Sequence, residues 1–190
     1  MSLLDNILEF DQSLLLYLNN LGDVRWDPFW RFITNKLSSI PLYVLILYLM
    51  CKSLNKKSIA LLVISIAGMI TFTDQITNLF KYSFQRLRPC AQEGVLEFLR
   101  QGDCWGYGFF SGHSSNSMAV AIFVILMLRS AYKPWIYLMI MWSVFVGYSR
   151  IYLGLHFPLD VICGWIFGDL SGYLLNKIIS KLQSRFIQDK

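Results

Sequence analysis

The chain has 190 residues, of which 55% are hydrophobic and only 15% charged, with a mean hydropathy of +0.47. That balance excludes an ordinary soluble domain, which carries more charge and shorter apolar runs. The net charge of +5 calls for no nucleic-acid partner, because the basic residues gather between apolar segments, where they anchor a chain against anionic lipid.

At the N-terminus, Leu3, Leu4, Ile7, Leu8, Leu14, Leu15, Leu18 and Leu21 recur at roughly helical spacing, interrupted by Asp5, Glu9, Asp11 and Gln12. Residues 1–21 are therefore expected to form an amphipathic helix at a membrane interface. A cleaved signal peptide is not expected, since there is no basic n-region and no small-residue cleavage site. Using this segment as a sixth span would carry three acids into the bilayer, at about 2.5–3.5 kcal/mol each near its centre.

An apolar helix needs about 20 residues to cross a hydrocarbon core of about 30 Å. Five segments are predicted to cross. The first is Ser39–Cys51, extended backwards through Phe29–Lys36 and interrupted by Asn35 and Lys36. The others are Ile59–Phe80, His113–Leu128, Pro134–Leu153 and Phe157–Ile179. The expected fold class is all-α: a polytopic membrane helical bundle of five to six transmembrane helices with an N-terminal amphipathic helix. Without a linker or repeat, residues 1–190 form a single domain, with the bundle over 29–180.

The loops predict an orientation. Lys52, Lys56 and Lys57 follow the first span, Arg129 and Lys133 precede the fourth, and Lys177, Lys181, Arg185 and Lys190 end the chain, with Asp189 as their only acid. The positive-inside rule puts all three stretches in the cytoplasm. Gln85–Ser111 and Arg150–His156 then face outside.

The chain has two histidines, His113 and His156, and both fall at predicted helix starts on the outer side. Lys81, Arg88 and Arg150 bring positive charge to the same end; arginine grips phosphate oxygens bidentately and lysine acts as a point charge. Ser111 and Gly112 precede a span, where free backbone N–H groups bind anions. Pro158 marks another helix start. Asp160, in that first turn, can hold one nitrogen of His156 and leave the other free as a nucleophile.

Lys81-x6-Arg88-Pro89, Ser111-Gly112-His113 and Ser149-Arg150-x5-His156-x3-Asp160 resemble, in spacing and order, the three signature motifs of the type 2 phosphatidic acid phosphatase superfamily. One departure is Phe110, where that family usually has proline before Ser-Gly-His. The resemblance implies a membrane phosphatase acting on a lipid phosphate or diphosphate through a phosphohistidine. His156 would attack phosphorus, Asp160 would orient it, and His113 would protonate the leaving oxygen and then assist water. Lys81, Arg88, Ser111, Gly112 and Arg150 would stabilise the transferring phosphoryl group, with no metal and no cofactor. Small members resemble bacterial undecaprenyl diphosphate, phosphatidylglycerophosphate or lipid A phosphatases. By that analogy undecaprenyl diphosphate is the first expectation, in a bacterial inner membrane with an extracytoplasmic site and a cytoplasmic C-terminus. A reading outside this class is an inactive lipid-binding or transport protein.

Other residues leave alternatives open. Arg86 has no motif position and reads as a snorkelling or rim residue. Asp74 shares a helix face with Lys81 and is either a wall of the site or an interhelical hydrogen-bonding group. Asp169, near the middle of the last predicted span, reads as a structural partner for a neighbouring helix, with a functional acid as the alternative. Gly164, Gly168 and Gly172 repeat at the small-residue spacing that lets helices pack closely, here within the bundle. Gly102–Phe110, with Trp105, Tyr107, Phe109 and Phe110, reads equally as a lipid entrance or as an interfacial aromatic belt. Cys51 and Cys163 read as packing residues. Cys90 and Cys104 share the outer loop and can form a disulfide if it faces an oxidising compartment.

Overall fold

Ser2 and Asp5 start the first helix. The Ser2 hydroxyl accepts the Asp5 N–H (3.2 Å) and the Asp5 carboxylate accepts the Ser2 N–H (2.7 Å), a reciprocal cap that satisfies two otherwise unpaired donors. The computed structural model describes residues 2–53, 56–99, 104, 106–128 and 133–188. Among them the secondary structure is helical: α1 (Leu3–Asn20), α2 (Asp27–Thr34), α3 (Ile40–Ser53), α4 (Lys56–Phe84), α5 (Gly112–Leu128), α6 (Lys133–Tyr152) and α7 (Pro158–Gln188), with short 3-10 turns between them.

Helices α3 to α7 fall on the five segments predicted from hydropathy. Lys57–Phe84 is the one helix among the described residues that is long and apolar enough to cross a membrane, and Lys36–Tyr48 and Gly112–Met127 are shorter apolar helices. Val44, Ile64, Phe72, Leu79, Tyr137, Ile166 and Leu174 are exposed, whereas Ser114, Ser115, Ser143, Ser149 and Thr73 are buried. Apolar side chains outside and hydroxyls inside is the distribution expected of a chain solvated by hydrocarbon.

The first predicted span does not continue back through Phe29–Lys36. Asn35 is extended (φ −73°, ψ 127°) and its side chain accepts the Leu37 N–H at 2.9 Å. This local bond competes with helix and divides α2 from the 3-10 turn Lys36–Ser39 that leads into α3. α2 instead packs on α6, with Trp30 edge-on to Phe145 and Tyr148.

α1 presents Asp11, Leu15 and Asn19 inward, one stripe at four-residue spacing, and leaves Leu3, Leu4, Ile7 and Leu8 exposed. Asn19 Nδ2 donates to the carbonyls of Tyr152 (2.7 Å) and Ile151 (3.3 Å), fastening α1 to the end of α6.

α5 and α7 form the most extensive helix pair. Gly164, Gly168 and Gly172 make this possible: a Cβ on any of them would collide with the backbone carbonyl of Ser111, Ser115 or Ala119 in turn. The stripe is used inside the bundle. Asp169 lies on the exposed side of α7, a placement that does not favour the expected role as partner to a neighbouring helix.

With α4 ending, α5 starting, α6 ending and α7 starting at one end, all three motifs are brought together there. The lysines at the α3–α4 junction and at the far end of α7 lie at the other. Arg129, Asp189 and Lys190, used to orient the chain, and Gly102, Asp103 and Trp105 of the outer loop lie outside the described residues.

Candidate active site

α4 delivers Lys81 one turn before its end, with Asp74 two turns earlier on the same face. Gln85, at φ +50°, turns the chain out of α4. Leu87 and Tyr107 then pair as an isolated antiparallel bridge, and Gly108 N–H donates to the Arg86 carbonyl at 2.7 Å. Arg88 Nε donates to the Tyr107 carbonyl at 3.3 Å, which aims the guanidinium inward. Burial lowers the pKa of Arg88 from its ordinary value, and Asp160 opposes the shift.

The second motif opens α5. The Ser111 hydroxyl accepts the Ser114 hydroxyl (2.9 Å) and faces the Ser114 N–H (3.4 Å), so it acts as a helix cap. Gly112 and His113 follow at the helix N-terminus, where backbone N–H groups favour an anion.

The third motif spans the α6–α7 turn. The Arg150 carbonyl accepts the N–H groups of Leu155 (2.9 Å) and His156 (3.2 Å), a tight return that sets His156 beside Arg150. Arg150 is buried, and its Nη1 donates to Thr34 Oγ1 at 2.7 Å. His156 is buried too, with Nδ1 3.5 Å from Asp160 Oδ2; that oxygen also accepts the Phe157 N–H at 3.1 Å. With Nδ1 facing the carboxylate, Nε2 is the nitrogen left for substrate. Burial, and then the charges of Arg150, Arg88 and Lys81, push His156 well below the ordinary imidazole value. The ring is therefore neutral near pH 7 and its lone pair is available.

These residues border a cavity of about 460 Å³. Lys81, Arg88, Gly112, His113, Arg150 and His156 line it. Of the eight residues predicted for the site, Ser111 and Asp160 stand behind this wall. Ser111 is taken up with capping α5, and Asp160 backs His156. The opposite wall was not foreseen; it comes from the α2–α3 junction and includes Thr34, Asn35, Lys36, Ser39 and Tyr43. Asp74 serves both of its suggested roles, lining the cavity and accepting the Asn116 amide at 2.7 Å. A narrow apolar pocket of about 90 Å³, bordered by Ile46, Leu62, Ile66 and Val124, shares Tyr43, Ile70 and Val120 with the main cavity.

Two expectations change. Arg86 is no rim residue: it bridges Asp160 and Asp11, and Asp11, read as an interruption of an amphipathic pattern, is buried. Phe110 is not at a lipid entrance, being buried against Phe80 and Phe167. Cys90 and Cys104 are joined as a disulfide with Cα atoms 5.6 Å apart, and Cys163 is a partly buried free thiol.

Residues 58–184 match the family model described as the PAP2 superfamily. The chain is 36% identical to a lipid A 4'-phosphatase of Bacteroides thetaiotaomicron, over 98% of this chain and 84% of that protein. It is 29% identical to a lipid A 4'-phosphatase of Porphyromonas gingivalis, over 97% and 79%. An undecaprenyl-diphosphatase of Sulfolobus acidocaldarius is 36% identical over 62% of this chain and 56% of its own length. The crystal structure of a PAP2-type phosphatidylglycerolphosphate phosphatase from Bacillus subtilis has the same fold, with a TM-score of 0.73 at 22% identity, covering 93% of this chain and 87% of that one.

Proposed function

Because this chain belongs to the PAP2 superfamily and is an integral membrane lipid phosphatase, we propose that it removes phosphate from an acylated, phosphorylated sugar lipid of the lipid A type, through a phosphohistidine at His156. The observation that carries the chemistry is the approach of Asp160 Oδ2 to within 3.5 Å of His156 Nδ1, behind a cavity wall on which His156 stands with Lys81, Arg88 and Arg150. In the first step, His156 Nε2 forms a bond to phosphorus, the bond from phosphorus to the lipid oxygen breaks, and His113 gives that oxygen a proton. In the second, His113 takes a proton from water, the water oxygen attacks phosphorus, the N–P bond breaks and phosphate leaves. Lys81, Arg88 and Arg150 stabilise the charge on the phosphoryl oxygens in both steps.

The substrate preference rests on the relatives. Those aligned over nearly the whole chain are named lipid A 4'-phosphatases, while the undecaprenyl-diphosphatase aligns over 62% of it. Lipid A therefore replaces undecaprenyl diphosphate as the first reading. The cavity agrees with a sugar headgroup, because Thr34, Asn35 and Ser39 of the second wall and Asn78 of α4 can hydrogen-bond hydroxyl and amide groups. With the lysines of the opposite bundle end in the cytoplasm, the site faces the extracytoplasmic side.

The test is phosphate release by detergent-purified protein in EDTA from lipid A, undecaprenyl diphosphate, phosphatidylglycerophosphate and phosphatidic acid. The expected result is the highest kcat/KM on lipid A and no turnover by His156→Ala. A higher kcat/KM on another lipid overturns the substrate, and turnover by His156→Ala overturns the mechanism.

A further inference from the structure

Arg86 lies two residues before Arg88 but takes no part in the cavity wall. Its Nη1 donates to Asp160 Oδ1 at 2.8 Å and its Nη2 to Asp11 Oδ2 at 2.6 Å. The Arg86 side chain is 18% exposed, against 0% for Asp160 and 1% for Asp11. The guanidinium also lies 4.1 Å from the centre of the Phe157 ring. Asp11 uses its other oxygen to accept the Leu159 N–H at 2.9 Å, so α1 is pinned to the first turn of α7.

Two consequences follow for His156. The first is geometric. A carboxylate can rotate, and only one orientation puts Oδ2 toward the imidazole. Arg86 occupies Oδ1 while Phe157 N–H holds Oδ2, which fixes that orientation from both sides. The second is electrostatic. When Nε2 bonds to phosphorus the imidazole ring becomes cationic, and a fixed negative charge beside it is stabilising in a dry site. Asp160 with Arg86 alone sums to zero. Adding Asp11 makes this three-residue cluster net negative, set against the positive charge that Arg150, Arg88 and Lys81 place on the ring.

We propose that Arg86 and Asp11 are positioning residues for the phosphoryl transfer, with Arg86 locking Asp160 against His156 and Asp11 both anchoring Arg86 and keeping the cluster negative. The assignment rests on His156 being the nucleophile. It gives the N-terminal helix a part in the chemistry although no α1 residue borders the cavity.

The experiment compares Arg86→Met, Arg86→Lys and Asp11→Asn in the full chain, on whichever lipid phosphate the wild type turns over, with His156→Ala alongside. Methionine keeps length and the apolar contact with Phe157 but donates to neither acid. Lysine can serve one of them. Asparagine still accepts the Leu159 N–H but carries no charge. A lost positioning contact costs about 10²-fold, so Arg86→Met should lower kcat by that order. Arg86→Lys should recover part of the loss, and Asp11→Asn should fall between Arg86→Met and wild type. KM should stay within about twofold in all three, because Arg86 and Asp11 do not touch substrate.

Thermal unfolding of each variant separates loss of folded protein from loss of rate. Wild-type kcat in folded Arg86→Met overturns the proposal, as does a change confined to KM. If none of the three variants folds, the cluster is structural and the proposal also falls. Turnover by His156→Ala would overturn the parent mechanism instead, so the two failures are distinguishable.

Discussion

The backbone N–H of Ser111 donates to the carbonyl oxygen of Asp160 at 2.9 Å. One bond thus ties the start of α5, which carries His113, to the first turn of α7, which backs His156. The acid and the nucleophile of the proposed reaction share this joint, so their separation is set by how closely the two helix starts approach. Gly164 permits that approach, since a Cβ there would stand 2.6 Å from the Ser111 carbonyl oxygen.

Gly164→Ala should therefore push the two helix starts apart. The expected cost is about 1–3 kcal/mol for overpacking, with a fall in kcat of roughly 10²-fold for a misplacement of about 1 Å. Gly68→Ala is the matched control, because a Cβ there meets nothing within 4 Å, and its turnover should equal wild type. Phosphate release with thermal unfolding checks both. Unchanged turnover in Gly164→Ala would show that this contact does not set the site geometry.

The proposed covalent intermediate is open to a trapping test. Rapid quench with a radiolabelled substrate should capture an acid-labile, base-stable phosphoryl group on the wild type and none on His156→Ala. Asp160→Asn should lose about 10⁴-fold in kcat, the order seen when the carboxylate behind a catalytic histidine is neutralised in a serine protease. With an aryl phosphate, whose leaving group needs no proton, His113→Asn should accumulate the intermediate because only the water step is impaired. No trapped phosphoenzyme from any variant would argue for direct attack by water.

The acid limb of the pH profile follows from His156. Its pKa lies well below 6.5 through burial and neighbouring positive charge. A lowered value means the proton leaves at lower pH, so the nucleophilic neutral form persists as pH falls through 6.5. The free-enzyme pKa is read from kcat/KM. After correction for ionisation of the substrate phosphate, the acid limb of kcat/KM should be centred below about 6.5, the ordinary imidazole value. A drop centred at or above 6.5 would mean that His156 is solvated in the working enzyme.

How much of this was legible from the sequence depended on the range of the signal. The predicted span from Ile59 to Phe80 needed only hydropathy, and α4 contains it. The motif residues could be found because the spacing within each motif is local, with six residues between Lys81 and Arg88, five between Arg150 and His156 and three between His156 and Asp160. The Asn35 break was half visible as a polar interruption, but that its side chain would cap the next turn was not. Arg86 and Asp11 were illegible for a different reason. Their bond joins positions 75 residues apart, and no periodicity in α1 says which of its acids turns inward. Asp11 does so because Leu15 and Asn19 share its stripe and because Arg86 and the Leu159 N–H are there to receive it.

The disulfide should matter to the site as well as to the loop. Cys90 follows Arg88 and Pro89 directly, and its N–H donates to the Gly154 carbonyl at 3.2 Å, two residues before His156. The bond to Cys104 therefore steadies both the arginine proposed to grip phosphate and the turn that presents the proposed nucleophile. It closes a loop with a sequence separation of 14, and a cross-link of that size contributes about 3 kcal/mol. Reduction, or Cys90→Ala, is expected to lower the unfolding midpoint and raise KM through displacement of Arg88. Non-reducing electrophoresis after alkylation checks the bond itself: protein isolated without reductant should protect both thiols, and Cys104→Ala should free Cys90. Full thiol reactivity at both positions in active wild-type protein would show that the site works without the cross-link.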